Sequence, residues 1–308
     1  MKKNVKNPQA KNKWTKKDTI IMSILGAFII GAGALTGIFI GNNVFDQGEV
    51  NYSDFDETKW EDNRAKFVER FNSTSTNDYT NIFKPNELVG IAYQKFSNYE
   101  KTFQATTGTV IAVGFEQSVA SSGMKVGSNY FAESFSTGFI NVGKRYYFDG
   151  DNSTSVYTGS NPQTNSASWS EDAKEVLDNE QMEKTWGKLV SRPSIYLLCS
   201  KTCLNTSTAK KNSDGTYTVE IDLDTTYSVS RYVRQMCSMS GLSKNPRFHS
   251  IHLNYTLSSE LDLIQVNTKE NYDVFKGFWI NTSGDLTEKF VINGDNVIPA
   301  INENVSYN

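Results

Sequence analysis

The sequence predicts an α+β fold: one long antiparallel sheet with about four helices packed on one face, preceded by one transmembrane helix. Three observations predict it. Hydrophobic residues first recur every three to four positions, then, from Ala105 onward, every two. The segments of period two are joined by connections too short for parallel crossovers. A run of 22 uncharged residues, Thr19 to Ile40, lies near the N-terminus.

The first element is that run. As a helix it would be about 33 Å long, against a bilayer core of about 30 Å. The 308-residue chain has 31 basic and 34 acidic residues. Seven of the former and one of the latter lie in 1–18, which leaves 24 and 33, a net of -9 for the rest. Lysines therefore crowd one side of the run and acids follow the other. The positive-inside bias puts 1–18 in the cytoplasm and the bulk of the chain outside, as a single-pass protein of the cell membrane. The run is longer than the apolar region of a cleaved signal, and its only small-x-small match, Ala32-Gly33-Ala34, lies inside it. It is expected to stay as a signal anchor over 19–41, with membrane lipid as its partner. Gly33, Gly37 and Gly41 would align on one face, a spacing that lets transmembrane helices approach closely. The lysines lack the aromatic interleaving of a nucleic-acid binder, and no nucleic-acid partner is expected.

Residues 42–56 read as a spacer, and 57–293 as the extracytoplasmic domain. Trp60, Arg64, Phe67, Val68 and Phe71 predict a helix capped by Asp56. Pro85 opens a second, with Leu88, Ala92, Phe96, Tyr99 and Phe103 on one face. Strands follow from Ala105, with turns read at Ser121-Ser122-Gly123, Gly127-Ser128-Asn129 and Asp149-Gly150. Ser168 and Glu171 form a capping box for a third helix reaching about Val190. Asp214-Gly215 marks a hairpin, and Tyr217, Val219, Ile221 and Leu223 alternate with polar residues. A fourth helix carries Val229, Tyr232, Val233, Met236 and Cys237. Strands over Ile251–Leu257 and Ile264–Val274 come next. A pair of strands flanks a turn at Thr282–Asp285, and 294–308 reads as a polar tail.

Cys199 and Cys203 are expected to bridge if Ser200–Thr202 forms a turn; pairing of either with Cys237 stays open. Cys237 lies on an apolar helix face, as a buried thiol would. His249 and His252, the only histidines, should point to opposite faces of a strand. No metal, cofactor or catalytic motif is found. Ser122-x-x-Lys125 and Ser207-x-x-Lys210 lack companion motifs, so no enzyme is expected. Tyr146-Tyr147-Phe148 and Phe278-Trp279 place aromatic bulk on both faces of a strand, and the face opposite the helices is a candidate apolar groove.

Amphipathic helices, a meander containing YYFDGDNSTSVYTG, a helix, and a strand-helix-strand-strand end containing ELDLIQVNTKENYDV resemble the LolA/LppX-type lipoprotein carriers over about 57–293. The resemblance implies a curved, half-barrel-like sheet with helices in its mouth. A transmembrane anchor replaces the lipidated cysteine or cleaved signal of many such carriers, so it implies no shuttling. Two functions are carried forward. One is a tethered binding module of the cell envelope holding a lipid-like or apolar ligand on a concave sheet. The alternative is an interaction protein that uses its sheet face against another envelope protein.

Overall fold

The computed structural model describes residues 52, 55–137, 142–150, 152–159, 174–240, 242–303 and 305. The expected anchor 19–41, with Gly33, Gly37 and Gly41, the basic tail and most of the spacer lie outside them. Among the described residues no helix is long and apolar enough to cross a membrane.

The chain forms helices α1 (Arg64–Asn72) and α2 (Pro85–Asn98). Strands follow: β1 (Lys101–Ala112), β2 (Phe115–Val126), β3 (Asn129–Thr137), β4 (Val142–Phe148), β5 (Ser153–Gly159) and β6 (Lys174–Asp178). Helix α3 (Asn179–Trp186) comes next, then β7 (Thr208–Lys211) and β8 (Tyr217–Asp222). Helix α4 (Ser230–Ser240) leads into β9 (Arg247–Leu257), β10 (Leu263–Phe275) and β11 (Trp279–Ile292). The eleven strands make one sheet in the order β6-β5-β4-β3-β2-β1-β11-β10-β9-β8-β7. It is a long, open, curved antiparallel sheet with the helices on one face, so two meanders meet at a β1–β11 seam.

Local chemistry sets the helix ends. Asn63 Oδ1 accepts from Lys66 N at 3.2 Å to open α1, while Asp56 caps only a short 3-10 turn over Glu57–Lys59. Pro85 sits in the first turn of α2, and the Lys84 amide donates to Glu87 Oε2 at 2.8 Å. Leu88, Ile91 and Ala92 of α2 are fully buried against the sheet; a Leu or Ile side chain so placed contributes about 1.5–3 kcal/mol. Tyr99 caps the end of α2 and Phe103 belongs to β1, so neither extends the helical face as expected.

Four sequence readings are corrected. The expected Ser168–Glu171 box lies outside the described residues, but Lys174–Asp178, read as helical, is a strand, and the described helix spans Asn179–Trp186. Val176 and Leu177, in β6, pair with Ser155 and Thr154, and Asp178 with Gln181 boxes this helix at 2.8 and 2.9 Å. Gly187, at φ +77°, stops this helix well before Val190. Ser121-Ser122-Gly123 lies inside β2, whose hairpin with β1 turns at Val113-Gly114. Thr282–Asp285 lies inside β11; the chain turns at 276–278 instead. His249 and His252 are brought to the same outer face, because a bulge in the β9–β10 ladder puts Phe248 and Ile251 both inward. Each histidine meets its own carboxylate, Asp273 at 2.9 Å and Asp222 at 2.8 Å.

Within the expected polar tail, residues 300–303 pack back against the sheet. Arg145, fully buried, is paired with Glu133 at 2.8 Å. It also donates to the carbonyls of Ala300, Ile301 and Glu303 at 3.2, 2.7 and 2.6 Å. At the other terminus, contacts with the domain also involve Tyr52. Tyr52 is buried and its hydroxyl donates to Thr226 O at 2.5 Å. Glu57 is held by Ser230 at 2.9 Å, Arg231 at 2.5 Å and Arg234. These cations hold its carboxyl below the usual range against the opposing effect of burial.

Candidate ligand-binding site

Side chains of directly paired residues in an antiparallel sheet share a face. One such row crosses the inner face at mid-sheet. Ser134, Ser121, Thr106 and Glu288 supply its polar half, from β3, β2, β1 and β11. Val266, Tyr255 and Val219 supply its apolar half, from β10, β9 and β8. The next row brings Tyr146, Ala132, Gly123 and Gln104 together. Gly123 matters here: a Cβ would meet the Gln104 side chain at 3.1–3.3 Å.

The helices do not press down on this region everywhere. A cavity of about 210 Å³, partly open to solvent, lies between these rows and a roof made by α3, the segment 187–196 and α4. Its lining mixes Leu189, Ile195 and Leu286 with Thr268, Glu288 and Lys188. The candidate groove was expected on the face opposite the helices. The hollow is instead under them, since the helix layer is replaced at this point by the irregular 187–196 segment.

Electrostatics give the cavity a definite character. Burial pushes the Glu288 carboxyl up to about 7, opposed by the Lys188 charge and a hydrogen bond from Thr106, its β1 partner. Burial pulls the Lys188 ammonium down to about 8, with Glu288 acting in the opposite direction. Lys188 Nζ also donates to Arg192 O at 2.6 Å. At the margin, Lys144 Nζ lies 4.1 Å from the centre of the Trp186 ring, and burial lowers this ammonium to about 8 as well. Three buried polar atoms of the lining have no hydrogen-bond partner: Gln104 Oε1, an acceptor, Trp186 Nε1, a donor, and the Ser122 hydroxyl, which can be either. Each such atom costs about 1–3 kcal/mol if left dry.

Behind the wall lies a second carboxyl. Glu270 accepts from Tyr196 at 2.5 Å and Tyr232 at 3.2 Å, both lining residues, and burial pushes it up to about 7. Gly284 stands opposite on β11, where a Cβ would sit 2.8 Å from Glu270 Oε1. The glycine makes the room the carboxyl occupies.

The residues singled out from sequence fall mostly elsewhere. Cys199 and Cys203 occupy a tight turn, with Cys203 N donating to Cys199 O at 3.0 Å, and the two are not joined in a disulfide. Burial pushes Cys203 up to about 12, which leaves it protonated and inert. Lys125 donates to Ser97 O at 2.7 Å, and Ser207 bonds to the backbone of Asp222, so neither Ser-x-x-Lys match forms a pair. No group of three or more potential metal ligands occurs among the described residues. Tyr146 does face the cavity, edge-on to Trp186 at 5.3 Å. Tyr147 turns outward onto Phe131 at 5.1 Å, so the tyrosine pair serves both faces as expected.

Sequence reasoning missed Lys188, Glu288, Gln104 and Glu270. A signal existed for two of them. Glu288 shares strand parity with buried Phe290, and Glu270 with buried Val266, Tyr272 and Val274. An acid on the dry face of a strand is costly unless it has a task or partners.

No family model matches the chain, and no curated protein matches it. Among solved structures, a DUF1329 family protein from Desulfovibrio piger aligns at 7% identity and a TM-score of 0.27, covering 69% of this chain and 93% of that one. A candidate AttH from Nitrosomonas europaea aligns at 10% identity and a TM-score of 0.18, covering 66% of this chain and 54% of its own.

Proposed function

We propose that the protein is a membrane-tethered extracytoplasmic binding module whose cavity takes a small amphipathic molecule. The observation that carries this reading is the cavity itself, half polar and half apolar, with an unsatisfied donor and acceptor in its lining. Its size decides the scale of the ligand. At about 30 Å³ per water-sized group, 210 Å³ holds ~7 such groups. Typical small-molecule sites run from about 300 Å³ upward. A whole phospholipid exceeds this space; a compact amphipath, or the end of a longer one, fits it. The apolar body would rest on Val266 and Leu286, and its polar end would meet Gln104, Trp186 and the Glu288–Lys188 pair.

The test is mass spectrometry of an organic extract of the purified full-length chain, with Ala132→Trp as comparison. Ala132 faces the cavity beside Gly123, and the indole would fill it. One amphipath at near-equal stoichiometry from the wild type, and its loss from a folded Ala132→Trp variant, is the expected result. Identical extracts from both, or none from either, would refute the binding role.

A further inference from the structure

A second surface lies at one end of the sheet. Ala112 pairs with Thr282, so the β1–β2 turn and the β10–β11 turn point the same way. The β10–β11 hairpin runs three residues further, ~10 Å at strand rise. These tips carry the exposed apolar residues Ile111 (41%), Val113 (57%), Phe115 (40%) and Phe278 (47%). Cations frame them. Arg247 lies 3.8 Å over the Trp279 ring, Lys244 lies 4.8 Å from the Phe275 ring, and Lys276 is in the turn itself. Among the described residues of these strand ends the acids are Glu116 and Asp273, the latter bound to His249 at 2.9 Å.

The N-terminal segment enters at this same end. Tyr217 pairs with Leu257 and Asp222 with His252, so β8 runs toward the start of β9, which is the end that carries the tips. Thr226, just past β8, receives the Tyr52 hydroxyl, and Arg234 donates to Tyr52 O at 3.4 Å. Between the expected anchor, 19–41, and Tyr52 lie residues 42–51. Ten residues span at most ~36 Å when fully extended.

We propose that the β1–β2 and β10–β11 tips dock on the bilayer that holds the chain's own anchor. This rests on the tethered reading above. Three features select a lipid surface over another partner. The anchor is joined at this end by a short spacer, so the tips face the bilayer at high local concentration. Their side chains combine aliphatic and aromatic groups with Lys and Arg, the composition that residues at a membrane interface share. At the tips themselves three cations, Lys244, Arg247 and Lys276, stand against two acids, Glu116 and Asp273, a balance suited to anionic headgroups. Docking would fix the sheet's long axis and hold the cavity at a set height above the lipid.

The experiment reconstitutes the full-length chain in phosphatidylcholine–phosphatidylglycerol vesicles with brominated acyl chains. Single variants Val113→Trp, Phe278→Trp and Val291→Trp each add one indole. Val291, 44% exposed, pairs with Phe103 at the far end of the sheet. The two tip indoles should be quenched at least about twofold more than the one at 291, as expected for side chains at the lipid interface. Carbonate washing separates the two readings. A chain that washes off sinks the tether and the docking with it. A chain that stays, with equal quenching at all three positions or with tips cross-linked to a second copy, sinks the docking alone.

Discussion

Glu270 shows what a single buried acid does to this fold. Its ordinary value is 4.5, and burial raises it to about 7 despite two tyrosine hydroxyls donating to it. A carboxyl whose value is raised in the folded state contributes most below its unfolded value, and that contribution is lost as pH rises through the folded one. Ionising it in the folded state costs about 3 kcal/mol relative to the unfolded chain. Glu288 acts in the same direction. Stability should therefore fall as pH rises from about 4.5 to about 7, the window those two values define. Glu270→Gln keeps an acceptor for one tyrosine and removes the charge. Urea unfolding at pH 5 and pH 8 should show the variant matching wild type at the lower pH and exceeding it by ~1–3 kcal/mol at the higher. A variant weaker than wild type at both would mean that the carboxylate is stabilising as an ion.

At the scale of elements, the ends are decided by positions where backbone meets backbone. Gly187 closes α3 at φ +77°, and a Cβ there would lie 2.1 Å from Arg231 O on α4. Gly215 has φ +90° in the β7–β8 turn with nothing within 4 Å. Both pay the left-handed penalty of about 1 kcal/mol when replaced by alanine, but only the first also drives two elements apart. Thermal unfolding should show Gly187→Ala losing ~3 kcal/mol and Gly215→Ala ~1. Equal losses would show that the α3–α4 contact accommodates the added Cβ. The tail is a second case. Removing residues 295–308 strips Arg145 of three carbonyl acceptors while Glu133 remains its partner. A buried charge left short of partners costs ~3 kcal/mol or more, readable as a lowered urea midpoint.

These elements also explain what the sequence made legible. The alternation of β8 and β9, the Asp214-Gly215 turn and Pro85 are local signals, and the structure obeys them. Ser121-Ser122-Gly123 and Thr282–Asp285 misled because small residues have two uses in strands. They mark turns, and they mark places where something else must fit. Here Ser121 and Gly123 floor the cavity, and Gly284 clears space for Glu270. The residues mistaken for punctuation were the nearest thing to a site signature. The roof could not be read, because segment 187–196 meets Gln104 and Glu288 only through long-range packing with no periodicity of its own.

At the scale of the molecule, one seam joins everything. β1 through β6 form one meander and β7 through β11 the other, and among the described residues the β1–β11 ladder is their only strand pairing. The cavity straddles it: Thr106 and Glu288 are partners across this ladder, two residues from Gly108 and Leu286. Gly108 is the closest approach. A Cβ there would lie 2.2 Å from Asp285 O and 2.8 Å from Leu286 Cα, so alanine cannot enter without moving β11. Overpacking of this kind costs about 1–3 kcal/mol, and distorted ladder bonds add to it. Gly108→Ala should unfold at lower urea. Its amide exchange should rise first along Thr106–Val110 and Gly284–Glu288, while β8 and β9 stay protected. Because Glu288 moves with β11, the variant should also retain less of any molecule extracted from the wild type. Wild-type protection across the seam would show that the two meanders adjust independently, and the cavity would then owe its shape to the roof rather than to the sheet.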